Sequence, residues 1–542
     1  MSSETDKVNS VIEALNVELE SFKDKVDAID YGVVLEAGDG IIKAIGLENV
    51  FLGEIVSFLG DGLGMVMKID PDTVSIILFN KIEEVSQGCK IFATKKPLSI
   101  NVDESLLGRV IDPLGNPLDG LGPISCSKTM LFEAESPGVM QRESVCEPLQ
   151  TGIRLIDLLI PIGLGQKQLI LGDRQTGKTA ITIDTIINQS IVKENGGKAA
   201  FCIYVAIAKK ASEIAKIVQL LKDKGAINNT IVIATTASDT TALQYVAPMA
   251  GVAIAEYFRD KQKDALVVLD DLTKHADAYR EISLLMRRTP ARGAYPGDVF
   301  YLHSRLLERA VKLKSGGSVT ILPIIETLDG DVSSYIPTNV ISITDGQMYL
   351  DKEIFYKGQR PAINIGLSVS RIGSAAQHAN MKQISGTLKG ELAQYIELKN
   401  FSKSVSDVDE ETKEAIQHGD ILMSVLRQKI YSPTPKAQTL LMLLGVECGA
   451  FNDLFNIEKF AEEMFFYMNT QYPLIIKSLS EDNKLTKTEK SDIFKQILDF
   501  KKIFEDDDKG KDKSRSKSKD TKNAESEFDD QVSSDLSDLK KN

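Results

Sequence analysis

The chain has 542 residues with a formal net charge of −13, of which 43% are hydrophobic and 26% charged. That length exceeds a single hydrophobic core, and the balance is that of a soluble globular protein. The acidic total argues against a general nucleic-acid binder, which normally presents a basic face. The longest apolar run, Ala199–Ala208, falls far short of the ~20 residues of a membrane span, so any membrane attachment would come through partners.

The N-terminal MSSETDKVNS is neither Arg-rich nor followed by an apolar segment, so no signal or transit peptide is expected. Residues 1–28 place Val8, Val11, Ile12, Leu15, Leu19 and Phe22 at helical spacing among acidic and basic residues. They are expected to form an amphipathic helix, packed on its own domain or docked on a partner. From residue 29 to 96 the pattern changes to short alternating strands broken by turns such as Ala37-Gly38-Asp39-Gly40 and Asp70-Pro71-Asp72. Closely spaced strands of that kind predict a small β-barrel.

Residues 97–372 alternate helical patterns with continuous apolar runs at Leu169–Leu171, Ala200–Ile207, Thr230–Thr235, Ala265–Leu269 and Val319–Ile325. Such runs suit a parallel sheet covered on both faces, hence an α/β domain. Helical segments are expected at Ala211–Lys222 and Leu243–Phe258. Residues 373–504 lack strand runs and read as helical at Leu388–Leu398, Ile416–Gln428, Ala437–Leu444, Ile457–Met468 and Thr486–Phe504. The tail 505–542 is rich in Asp, Lys and Ser and is expected to be disordered. Five cysteines without a C-x-x-C pair point to reduced thiols, with Cys202 a small buried hydrophobe. Four histidines show no metal-ligand spacing.

The chemistry concentrates at Gly172-Asp173-Arg174-Gln175-Thr176-Gly177-Lys178-Thr179, a phosphate-binding loop between an apolar strand and a helix. Its glycines let backbone N–H groups turn inward around a phosphate, and the helix N-terminus adds partial positive charge. Lys178 would reach the β- and γ-phosphates, and Thr179 would hold Mg²⁺. Asp270, ending the run Ala265–Leu269, would order Mg²⁺ through water. The ligand is therefore ATP or ADP with Mg²⁺. Hydrolysis further needs a group that activates water, and spacing alone leaves Glu256, Asp271 and Glu326 open as candidates.

Five stretches together carry a family likeness: the loop GDRQTGKTAITIDTI, Glu147–Ile153, Ala294–Ala310, Tyr335–Gln347 and Ser368–Gln377. They resemble the alpha subunits of the rotary proton-translocating ATP synthases, in the right order, from about residue 8 to 504. The resemblance implies a β-barrel, a RecA-like P-loop domain and a C-terminal helical domain. It also implies three copies alternating with three beta subunits around a gamma shaft. Residues 1–28 would dock on a delta-type stalk subunit, with indirect linkage to a membrane proton channel and no nucleic-acid partner. The location implied is the cytoplasmic face of a bacterial plasma membrane, or an organellar inner membrane. In the family, alpha holds Mg-ATP without turning it over and lends an arginine to the beta site. Here that arginine matches Arg371, with Ser368 beside it, and Gln428 falls on the adenine side of the alpha site.

Three segments depart from the family pattern. Where alpha normally carries Gln after Ile-Tyr-Val-Ala-Ile-Gly, this chain has Ala208 and then Lys209. Ala291 and Gly293 replace a Gly and a Glu beside the shaft-facing loop, and on the adenine side Lys429 and Ile430 replace a Gly and a Gln. A charged ammonium cannot accept a proton from water, so turnover at this chain's own site is not expected; Lys209 is expected to contact the phosphates, the alternatives being a pair with Asp270 or a side chain swung into solvent. A self-sufficient ring ATPase would need a carboxylate where Lys209 stands. A nucleotide-dependent scaffold outside the synthase would not need Arg371 or the Tyr295–Asp298 loop.

Overall fold

The computed structural model describes residues 30–505 apart from 59–61, 81–84, 403–408, 453 and 455. The helix expected at 1–28 and the tail from 506 onward lie outside the described residues. The chain divides into two units. The first comprises residues 30–146, Gly163–Ile354 and Ala362–Ile372, and the second comprises Glu147–Ile162, Phe355–Pro361 and 373–505.

The first unit opens with a closed barrel of six antiparallel strands, Tyr31–Gly38, Ile41–Ile45, Glu54–Phe58, Leu63–Ile69, Val74–Leu78 and Lys90–Pro97. The strand period of two sorts its side chains. Val34, Ile42, Val56, Val66 and Ile76 fill the barrel, while Met65, Ile77 and Phe79 join the core of the domain that follows. The turns read as Gly38–Gly40 and Asp70–Asp72 do connect neighbouring strands.

That domain is built on a mostly parallel sheet. Its strand order is Val369–Ser370, Gly346–Leu350, Leu169–Gly172, Ser318–Glu326, Asp264–Asp270, Phe201–Lys209, Thr230–Thr236 and Val110–Ile111, with the first strand antiparallel to its neighbour. Helices Lys178–Glu194, Ala211–Asp223, Thr241–Asp260 and Leu272–Leu285 connect successive strands. The Thr241–Asp260 helix is buried along nearly its whole length and is capped by the Thr240 hydroxyl, which accepts from the Leu243 amide. Gly251 in it passes so close to the sheet that an added Cβ would lie 2.4 Å from Val205 Cγ2.

A buried ionic cluster lies at the far end of that helix. Glu256, 1% exposed, accepts from Arg259 at 3.0 Å and from both Nε and Nη2 of Arg309, whose Nη1 donates to the Phe132 carbonyl at 2.6 Å. The cluster removes Glu256 from the candidates for water activation.

The second unit is helical, with Arg154–Leu159, Ala379–Ser385, Leu388–Ser402, Glu410–Leu426, Lys436–Glu447, Ile457–Gln471, Pro473–Ser480 and a helix over 487–505. Lys436–Glu447 forms its centre, and Phe460 packs on Phe451, Phe500 and Phe504 with ring centroids 5.1–5.3 Å apart. Segment Glu147–Ile162, grouped by sequence with the P-loop domain, is tied into this unit by hydrogen bonds. Gln377 donates to the carbonyls of Asp157 and Leu158, and the Thr434 amide donates to the Gly152 carbonyl. Asp157 is half-buried, and burial pushes its carboxyl up to about 6 against three donors from Thr151 and Gly152.

A raised carboxyl pKa makes this group stabilising when protonated. The contribution is complete below the ordinary value near 3.8 and is lost as pH rises through about 6. Between pH 4 and 7 the urea midpoint of the wild-type chain should therefore fall relative to that of Asp157→Asn, by the equivalent of up to about 3 kcal/mol. Parallel pH profiles for the two proteins would contradict the assignment.

Candidate functional site

The loop strand Leu169–Gly172 lies between Ser318–Glu326 and Gly346–Leu350, and at its end the chain turns into the helix Lys178–Glu194. Gly172 has φ 157°, and a Cβ there would sit 2.6 Å from the Leu350 carbonyl oxygen, so no larger residue fits. Gln175 and Gly177 adopt positive φ of 62° and 97°, which bends the loop back over the helix N-terminus. Asp173 and Thr176 are buried and shape the loop. The Asp173 carboxylate accepts from the Thr327 hydroxyl at 2.6 Å and the Gly330 amide at 2.8 Å, while Thr176 Oγ1 donates to the Asp173 carbonyl. Arg174 is exposed and pairs with Glu326 at 2.6 Å. Lys178 Nζ arches over the loop, donating to the carbonyls of Gly172 at 2.7 Å and Asp173 at 2.5 Å; burial lowers its pKa.

Behind the loop, the parallel sheet brings Asp270 beside Thr179. Thr179 Oγ1 donates to Asp270 Oδ2 at 2.7 Å. Two neighbours complete the carboxylate's surroundings. Tyr204 donates its phenol to Oδ2 at 2.8 Å, and Lys209 Nζ lies 2.7 Å from Oδ1. Asp270 is 1% exposed and Lys209 18%. Burial alone would push the Lys209 ammonium down, but Asp270 and then Asp271 outweigh it and hold its pKa above the ordinary value. The pairing of Lys209 with Asp270, rather than a side chain swung into solvent, is thus what the structure shows.

The local backbone explains the aim of Lys209. Strand Phe201–Lys209 slips register against Thr230–Thr236 between Ala206 and Lys209, and Ala208 takes φ 51°, a conformation that glycine adopts more readily. The bulge turns Lys209 toward the strand carrying Asp270. Tyr204 was not among the residues singled out by sequence. Its signal was a polar tip inside an apolar strand, since a buried phenol needs a partner.

The other carboxylates near the loop are engaged. Asp271 caps the helix Leu272–Leu285 by accepting from the Lys274 amide at 2.8 Å; burial and then the charge of Asp270 push it up to about 6. Glu326 is held by Arg174.

Arg371 leaves the sheet at the end of the edge strand Val369–Ser370. Its amide donates to the Asp345 carbonyl at 2.8 Å, and its side chain is exposed. Ser368 is fully buried in the chain, and its hydroxyl accepts from the Tyr349 amide at 3.0 Å. Gln428, in the second unit, is also buried. Its amide donates to the carbonyls of Gly152 and Ser432 and accepts from the Arg154 amide, so its polar atoms already have partners. Ile430 is 54% exposed.

Three family models match the chain in sequence order. They are the ATP synthase alpha/beta family beta-barrel domain over residues 27–95, the nucleotide-binding domain over 152–370 and the C-terminal domain over 377–500. Among similar proteins, the ATP synthase subunit alpha of Clostridium botulinum strain Hall is 48% identical over 509 residues, covering 93% of this chain and 99% of that protein. The ATP synthase subunit alpha of Clostridium acetobutylicum is 47% identical over the same shares. Among the described residues no helix is long and apolar enough to cross a membrane.

Proposed function

Because the chain belongs to the ATP synthase alpha/beta family and stands in it as an alpha subunit, we propose that its own P-loop holds ATP or ADP without turnover while Arg371 acts on a nucleotide bound to a neighbouring beta subunit. The observation that carries the first half is the Lys209–Asp270 pair, 2.7 Å long, at the place where a hydrolytic site needs a proton acceptor. Asp271 and Glu326, the other carboxylates open as candidates by spacing, are engaged in a helix cap and with Arg174.

Gly172–Thr179 would cradle the phosphates and Lys178 would neutralise them. The family pattern would place Mg²⁺ at Thr179 and, through water, at Asp270, but here the Asp270 carboxylate already accepts from Thr179, Tyr204 and Lys209. The partners we infer are beta subunits alternating with this chain, a gamma shaft in the centre, and a delta-type stalk subunit at residues 1–28. The assembly would sit on the cytoplasmic face of the membrane, peripheral to its proton channel.

The test uses the purified complex carrying Lys178→Gln. Nucleotide retained by this chain after gel filtration should be lost, while ATP hydrolysis persists at a reduced rate. Hydrolysis abolished together with retention would place turnover at this chain's own loop and overturn the reading.

A further inference from the structure

We propose that Lys209 is a built-in substitute for the divalent cation at this chain's own nucleotide site, so that nucleotide bound there gains little from Mg²⁺. The inference rests on the reading of Gly172–Thr179 as a nucleotide site and concerns how that site is regulated.

The argument starts from the Asp270 carboxylate. Both oxygens are occupied, Oδ2 by the hydroxyls of Thr179 and Tyr204 and Oδ1 by the Lys209 ammonium. A magnesium ion keeps several waters in a near-octahedral shell, and those waters must donate to a carboxylate of this kind. Here one oxygen already accepts from two hydroxyls and the other from an ammonium that is only 18% exposed, so metal-bound waters would have to compete for the lone pairs that remain. The bulge at Ala208 fixes that ammonium from the backbone side.

Charge points the same way. Lys178 arches over the loop and Lys209 is paired with Asp270, so a dication placed beside Lys209 would meet a like charge in a partly dry site. The ammonium itself offers three donors, suited to phosphate oxygens as well as to the aspartate. A lysine-held phosphate also lacks the metal-ordered water shell, in keeping with a site that stores nucleotide and does not cleave it.

The test titrates the purified full-length chain with trinitrophenyl-ATP, once in excess MgCl₂ and once in EDTA, for the wild type and for Lys209→Gln. Wild-type affinities in the two conditions should agree within about threefold, whereas Lys209→Gln should gain about tenfold or more from Mg²⁺ as the like charge is removed. Electron paramagnetic resonance of Mn²⁺ in the presence of ATP gives a second readout. A protein-broadened signal is expected for Lys209→Gln and not for the wild type. A wild-type gain from Mg²⁺ of tenfold or more overturns the inference, and it does so even if the variant fails to fold. Absence of probe binding in every condition would instead remove the nucleotide reading on which the inference stands.

Discussion

Replacing Arg371 by alanine in the assembled complex is expected to lower steady-state ATP turnover by about 10³-fold or more, the scale on which an arginine donated across an interface acts. Nucleotide bound at this chain's own loop should be unchanged. The guanidinium is exposed, while its backbone is fixed by the Asp345 carbonyl and by the edge strand Val369–Ser370. A side chain so presented suits stabilisation of charge that develops on a neighbour's γ-phosphate. Arg371→Lys keeps the charge but loses the planar fork, so it should recover only a small part of the rate. Turnover of Arg371→Ala within tenfold of the wild type would exclude the role.

The second large effect is on stability and lies away from any nucleotide. Arg309→Ala should destabilise the first unit by about 3–5 kcal/mol, because it strips the buried Glu256 carboxylate of its closest counter-charge. Arg259 remains at 3.0 Å, but it is shared with Asp260 at 2.9 Å and cannot fill the space Arg309 leaves. The Phe132 carbonyl also loses its donor. Urea unfolding measures the difference, and a loss under about 1 kcal/mol would show that the site relaxes or takes up water. Replacing Glu256 and Arg309 together by apolar residues of similar volume should cost much less than Arg309→Ala alone, since no unpaired charge is then buried.

The parts of the fold legible in the sequence are those where burial writes a simple pattern. Phe201–Lys209 and Asp264–Asp270 are covered on both faces and read as unbroken apolar runs. The phosphate loop reads from its glycines, and Asp270 from its place at a strand end. The two-residue edge strand Val110–Ile111 is too short to leave a period, and the six-residue helix Arg154–Leu159 spans less than two turns, too few to establish one. Side chains that act through long-range contacts were harder still. Nothing near Ser368 in the chain shows that its hydroxyl is spent on Tyr349, and nothing near Glu256 reveals Arg309. Lys209 was conspicuous by type, but its partner depends on which strands are neighbours.

The sheet's strand order has one more consequence. Leu169, beneath the phosphate loop, is paired with Gln347, and Gln347 with Val369, two residues before Arg371. The loop strand and the strand that roots the arginine are thus separated by a single strand, about 10 Å across the ladder. Gln168 bridges the same gap by donating to the Val369 carbonyl at 3.3 Å. No hinge intervenes along this path, so the two behave as points on one stiff plate. Whatever tolerance the arginine's placement has is inherited from the loop strand, and a tilt that displaces one displaces the other.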